Sequence, residues 1–153
     1  MATAGERLRE LGIALPPVAA PAGAYLPARR AGSLVFTAGQ LPIAEGRLQA
    51  TGKVGADVST EAAHGLARQC TLNALAAVDA LVGLDAVVGV VKVVGFVASA
   101  PGFTDQPGVV NGASELLVEI FGEAGQHARS AVGVAELPKG APVEIEIVVE
   151  VAG

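Results

Sequence analysis

The sequence predicts an α+β fold: one mostly antiparallel sheet with two helices on one face, in the order β-β-(β)-α-β-α-β-β. Three observations lead there. Residues 59–83 and 108–121 repeat apolar side chains at helical spacing. Between them, residues 86–98 run almost continuously through valine. Residues 142–151 then alternate apolar and acidic side chains. Two long helices interleaved with strands of both kinds give a sheet covered on one side.

Residues 6–11 can form a short helix, and Pro16, Pro17 and Pro21 then force an extended path. Residues 1–22 are therefore expected to be an N-terminal extension, and residues 23–153 a single domain. Residues 25–30 and 33–37 read as short strands around an Ala-Gly turn. The segment Ala38-Gly39-Gln40-Leu41-Pro42 breaks the second one. Ser59-Thr60-Glu61 starts a helix with hydroxyl caps and an acid near its positive end. Ala63, Leu66, Ala67, Cys70, Ala74, Ala77, Val78 and Leu81 then mark its core face, and Gly83 ends it. Residues 86–98 read as a strand buried on most of both faces. After a loop at 101–107, Ala113, Leu116, Leu117, Ile120 and Phe121 line one side of the second helix. Glu115, Glu119 and Glu123 line the other. Residues 127–136 and 142–151 are the last two strands, and residues 137–141 are long enough to join them as a hairpin.

The composition narrows the function. The chain has 153 residues, 52% apolar but only 3% aromatic and 16% charged, against about 25% charged in ordinary soluble domains. It is too apolar to be disordered. Its longest apolar run, residues 86–91, stops at Lys92, far short of the roughly 18 residues of a spanning helix. The start has acids and no apolar h-region, so no signal peptide is expected. A net charge of −5 and five aromatics argue against nucleic acid. One cysteine, Cys70, leaves no internal disulfide, and two histidines exclude a three-His zinc site. The expectation is a cytoplasmic protein without cofactor or metal. The excess of apolar residues over charge points to surface buried against another subunit.

Strand parity refines this. Val143, Ile145, Ile147, Val149 and Val151 share one face of the last strand, and Glu144, Glu146, Val148 and Glu150 the other. Val132 and Val134 of the preceding strand match the core parity, so Arg129, Ala131, Gly133 and Ala135 lie with the glutamates. Arg129 and Glu144 are then either ordinary solvent-facing residues or site groups among small neighbours. A hairpin centred near Lys139 would hold them on the order of 20 Å apart, so a shared site would take them from different subunits. His127, on the Arg129 face, is a pocket-edge acid/base or a residue capping the turn after Gly125. Lys92 reads as a snorkelling or paired lysine.

Several segments together resemble the Rid family, the YjgF-like reactive intermediate deaminases. They are Tyr25 with Leu34-Val35-Phe36-Thr37-Ala38-Gly39-Gln40-Leu41-Pro42, then Val110-Asn111-Gly112 opening the second helix. His127-Ala128-Arg129-Ser130-Ala131-Val132, Leu137-Pro138-Lys139-Gly140 and Val143-Glu144-Ile145-Glu146 follow. The resemblance implies a chorismate-mutase-like fold, a homotrimer with sites in the clefts between subunits, and hydrolysis of 2-imino or enamine acids to 2-oxo acids and ammonia. It also implies roles. Arg129 would bind the substrate carboxylate, for which a planar fork is suited. Glu144 would position and deprotonate water. Tyr25, Asn111 and Gly39 match other site positions. Read without the resemblance, Tyr25 is an ordinary strand aromatic and Asn111 a helix-start cap.

Two positions depart from the resemblance. Ala38 and Ala131 stand where deaminases of the family commonly carry Ser and Cys. Both would line the pocket and make it more apolar. The competing functions are thus an imine deaminase, a non-catalytic trimeric binder of small carboxylates, an endoribonuclease or translation inhibitor, and, by fold analogy alone, a chorismate mutase. The intact Arg129 and Glu144 favour the first, the two alanines the second, and the acidic balance disfavours the third. For the fourth, no second basic residue converges with Arg129.

Overall fold

The computed structural model describes residues 2–153. A short helix α1 (Ala4–Glu10) precedes strands β1 (Ala28–Ala31) and β2 (Leu34–Thr37) and a small hairpin, β3 (Ile43–Ala44) and β4 (Arg47–Leu48). Helix α2 (Thr60–Val82), strand β5 (Val87–Ala98), helix α3 (Gln106–Phe121) and strands β6 (Ala128–Val134) and β7 (Val143–Val151) follow. The main sheet has the order β1-β2-β7-β5-β6. Only the β5–β6 pair is parallel. The mostly antiparallel α+β architecture expected from the sequence is therefore present, with the β3–β4 hairpin in the place of the optional third strand.

The local chemistry explains the helix bounds. Ser59 Oγ accepts from Ala62 N and starts α2, and Gly83 caps its end. Asp105 accepts from Gly108 N at the start of α3, two residues earlier than the spacing predicts. Asn111 consequently lies inside the helix and is not its cap. The two helices cross closely because Gly112 has no side chain: a Cβ there would collide with the His64 carbonyl. Leu75, Val78, Leu116 and Leu117 pack from the helices on Val35, Val93, Val97, Ile145, Ile147 and Val149 of the sheet, all fully buried. The start of the chain packs on the same body. Leu8 is buried, Gly5 N donates to Asp85 Oδ1, and Arg7 Nε donates to Glu119 O.

Two expectations fail, and both matter for the site. The last two strands do not form a hairpin, because β5 runs between them. Ser99 N donates to Val134 O on one side and Ala98 N to Pro142 O on the other. The valine run is what a central strand needs, and the 3₁₀ turn at Pro138–Gly140 lets the chain step across it. The parity of β6 is also inverted. Arg129 aligns with Val93, which aligns with Ile147, so all three point to the helices. Arg129, Ala131 and Gly133 are thus on the covered side. Val132, 42% exposed, faces outward with Phe96 and Glu144. The valine run itself is less enclosed than expected: Val88 and Val91 are exposed where the β5–β7 register shifts.

Candidate active site

Glu144 sits near the start of β7 on the open face of the sheet. It is brought to Gly39 by a short bridge: Gln40 N donates to Ile145 O at 2.8 Å, and Ile145 N to Gln40 O at 3.1 Å. The carboxylate lies directly over the Gly39 backbone. A Cβ on Gly39 would come within 2.8 Å of Glu144 Oε2 and 2.9 Å of its Cδ, so a larger residue there would displace the carboxylate. The buried Asn73 of α2 holds the same segment from behind. Its Nδ2 donates to Leu41 O at 3.0 Å and Ile43 O at 2.9 Å.

Glu144 and Gly39 open into a cavity of about 140 Å³ walled by Tyr25, residues 19–22, Gln40, Pro138 and Lys139. Tyr25 lies before β1, not within a strand, and is 49% exposed. Its hydroxyl accepts from Ala22 N at 3.0 Å. Ala38, expected to line the pocket, is half-buried outside this cavity's wall and faces a neighbouring depression with Phe36 and Thr37, its N–H donating to Pro27 O. Burial pushes the Glu144 carboxyl above the usual carboxylate range, and the neighbouring Glu146 adds to this. Lys139 adopts a left-handed backbone, φ 60°, that a non-glycine residue takes at a cost. The sequence reading passed over it as part of a connecting loop.

Arg129 lies elsewhere. It is half-buried on the helix side of β6, where Nη1 donates to Asn111 Oδ1 at 2.7 Å and to Ser114 Oγ at 3.2 Å. His127 Nε2 is 2.9 Å from Ser114 Oγ, and His127 Nδ1 is 2.6 Å from Gly125 O. His127 thus binds the turn at Gly125, as the capping reading expects, and lies two residues before the arginine. Ala131 lies beside Arg129 on the same face.

The predicted residues therefore fall into two clusters, Tyr25–Gly39–Glu144 and Arg129–Asn111. By the strand register they are three residues and two strands apart, on the order of 14 Å between backbones and not 20 Å. They also point to opposite faces of the sheet. Among the described residues, no group of three or more His, Cys, Asp or Glu could hold a metal ion, and no helix is long and apolar enough to cross a membrane.

Comparison with known proteins agrees with the fold. Residues 5–148 match the family described as "YjgF/chorismate_mutase-like, putative endoribonuclease". The chain belongs to the YjgF/chorismate-mutase-like family. It is 44% identical over 145 residues to Protein TCP17 of Trypanosoma cruzi, covering 94% of this chain and 91% of that one. A "putative endoribonuclease" from Shewanella oneidensis superposes with a TM-score of 0.94 at 33% identity, covering 98% of this chain and 100% of its own. E. coli TdcF with bound serine superposes with a TM-score of 0.63 at 26% identity, covering 90% and 94%. The chorismate-mutase-like fold expected from the signature segments is thereby shown.

Proposed function

We propose that this YjgF-family protein hydrolyses reactive 2-imino or enamine acids to 2-oxo acids and ammonia, in clefts between the subunits of a homotrimer. The observation that carries the reading is Glu144: a carboxylate made more basic by burial, held over a bare glycine backbone in a cavity the size of a small metabolite. Such a base, with its affinity for protons moved towards neutral pH, takes a proton from water as the water oxygen bonds to the imine carbon. The proton passes to nitrogen to give a carbinolamine; its hydroxyl proton is then taken by the same carboxylate and delivered to nitrogen, so that the carbonyl forms as the C–N bond breaks and ammonia leaves. No cofactor is needed. Arg129 supplies a fork for the substrate carboxylate, and the Asn111 amide N–H groups, which have no partner among the described residues, can donate beside it.

Two features support completion of the site by a second subunit. Glu144 and Arg129 face opposite ways in one chain. The open sheet face also presents apolar side chains to solvent, Phe36 at 44% and Val132 at 42% exposed, which a neighbouring subunit would cover. That TdcF holds serine supports a small amino-acid-like ligand. The endoribonuclease name carried by relatives sits poorly with a net charge of −5 and five aromatics.

A second reading has its own observation. Ala38 and Ala131 remove a hydroxyl and a thiol from the neighbourhood of the two clusters, which favours a binder of small carboxylates without turnover. The test generates imino acids in situ with an amino-acid oxidase and measures release of 2-oxo acid. Acceleration by the wild type, abolished in Arg129→Ala without loss of fold, supports the deaminase. Binding of a 2-oxo acid with no acceleration for any common imino acid supports the binder.

A further inference from the structure

The arginine of this site is held by a hydrogen-bonded chain that the catalytic reading leaves unused. A guanidinium has five N–H groups. Both on Arg129 Nη1 are spent within the protein, on Asn111 Oδ1 and Ser114 Oγ. Nε and Nη2 have no partner among the described residues, and they form the straight edge that grips a carboxylate with both oxygens.

The chain continues behind Ser114, and for a neutral His127 ring its direction follows from the acceptors present. A carbonyl only accepts, so the 2.6 Å contact between His127 Nδ1 and Gly125 O places a proton on Nδ1. In the neutral ring Nε2 is then an acceptor, and the Ser114 hydroxyl, 2.9 Å away, donates to it. This turns the serine lone pairs towards Arg129. Each link is a matter of spacing. Asn111 and Ser114 are three apart on one face of α3. His127 and Arg129 are two apart along an extended chain. Gly125, the anchor, is packed so tightly on α3 that a Cβ would collide with the Leu117 carbonyl.

We propose that Ser114 and His127 are positioning residues that lock the Arg129 guanidinium with its Nε–Nη2 edge presented to the carboxylate of a 2-oxo or 2-imino acid. The inference rests on Arg129 as the carboxylate anchor. It adds two residues, neither of which touches substrate, that set how well that anchor works.

The probe is pyruvate, titrated by NMR into the intact protein, with the melting temperature of every variant measured alongside. Ser114→Ala, which removes a hydrogen bond to the charged guanidinium, is expected to weaken pyruvate binding about tenfold at a melting temperature close to that of the wild type, and His127→Leu to weaken it in the same direction with a lower melting temperature, because Gly125 O also loses its donor. His127→Gln keeps a distal acceptor for the serine hydroxyl and is expected to bind within about twofold of wild type, as conservation of that one bond requires. A purely structural histidine would lower the melting temperature in both His127 variants and leave affinity unchanged in folded protein. Full affinity in folded Ser114→Ala overturns the proposal while leaving Arg129 as anchor. Pyruvate binding that is absent in wild type, or unchanged in Arg129→Ala, overturns the anchor and the proposal with it.

Discussion

Glu144 carries two opposed consequences at the scale of a single residue. Its carboxyl is held above the ordinary range by burial and then by Glu146, so the folded state binds that proton more tightly than the unfolded chain. The sign follows: the group costs no stability below the ordinary glutamate range, and its cost is complete once the pH has risen past the raised value. Glu144→Gln should therefore melt higher than wild type at pH 7, with the difference vanishing towards about pH 4. The same variant should lose about 10²-fold or more in 2-oxo acid release, as removal of a general base does. The wild-type rate should fall with decreasing pH at a higher pH than an ordinary carboxylate would give. Gly39→Ala is predicted to leave the fold intact and displace the carboxylate, because its Cβ would stand 2.8 Å from Glu144 Oε2. A loss of activity on the order of tenfold or more, with little change in melting temperature, is the expected pattern for a misplaced base. Residue chemistry was the most legible part of the sequence. Arg129 and Glu144 stood out as charges among small neighbours, whereas Tyr25, Gly39 and Asn111 were nameable only through the resemblance to the Rid family, because a lone tyrosine, a loop glycine or a helical asparagine marks no site by its type alone. Ser114 and Lys139 were missed. A serine inside an amphipathic helix and a lysine in a loop have no pattern of their own.

Elements were legible where periodicity is strong and misleading where it is weak. Strand β7 matched its alternation almost residue for residue, since one of its faces is fully buried, whereas α2 keeps the expected face from Ala63 to Val78 but leaves Leu81 45% exposed and buries Asn73, Leu75 and Ala76 as well. Strand β6 did not, because it is an edge strand with apolar residues on both sides: Ala131 packs inward while Val132 points out. The absent hairpin had another cause. Loop length allowed β6 and β7 to pair, but the valine run of β5 has the stronger claim to the place between them. Two substitutions test the packing of the elements. Gly112→Ala should cost about 1–3 kcal/mol, the range for overpacking a close contact, because its Cβ would meet the His64 carbonyl of the facing helix. Asn73→Ala should cost about 1–3 kcal/mol as well, since the Leu41 and Ile43 carbonyls lose their shared donor. It should also raise KM by loosening the segment that presents Gly39. Denaturant unfolding and steady-state kinetics on the same samples separate the two effects.

On the scale of the whole molecule, the scarcity of charge takes on a meaning. A chain that is 52% apolar and 16% charged covers one sheet face with helices and leaves the other, with Phe36 and Val132, partly bare. The two clusters of chemistry then sit on opposite sides of that sheet, Glu144 on the open face and Arg129 against α3. Within one protomer the two clusters face apart, and the proposed site needs a second subunit to bring them together. The hairpin distance from which a shared site was expected is gone, and the proposal that the clusters meet across subunits now rests on their separation by faces. Subunit mixing tests this most directly. Arg129→Ala and Glu144→Gln chains, each inactive alone, would be unfolded together in equal amounts, refolded, and assayed for 2-oxo acid release from imino acids made in situ. If each site draws Arg129 from one subunit and Glu144 from the next, random assembly of a cyclic trimer leaves about one site in four intact, and about a quarter of wild-type activity should return. No recovery in mixed trimers, where each parent variant refolds and wild type treated the same way is active, would contradict the shared site.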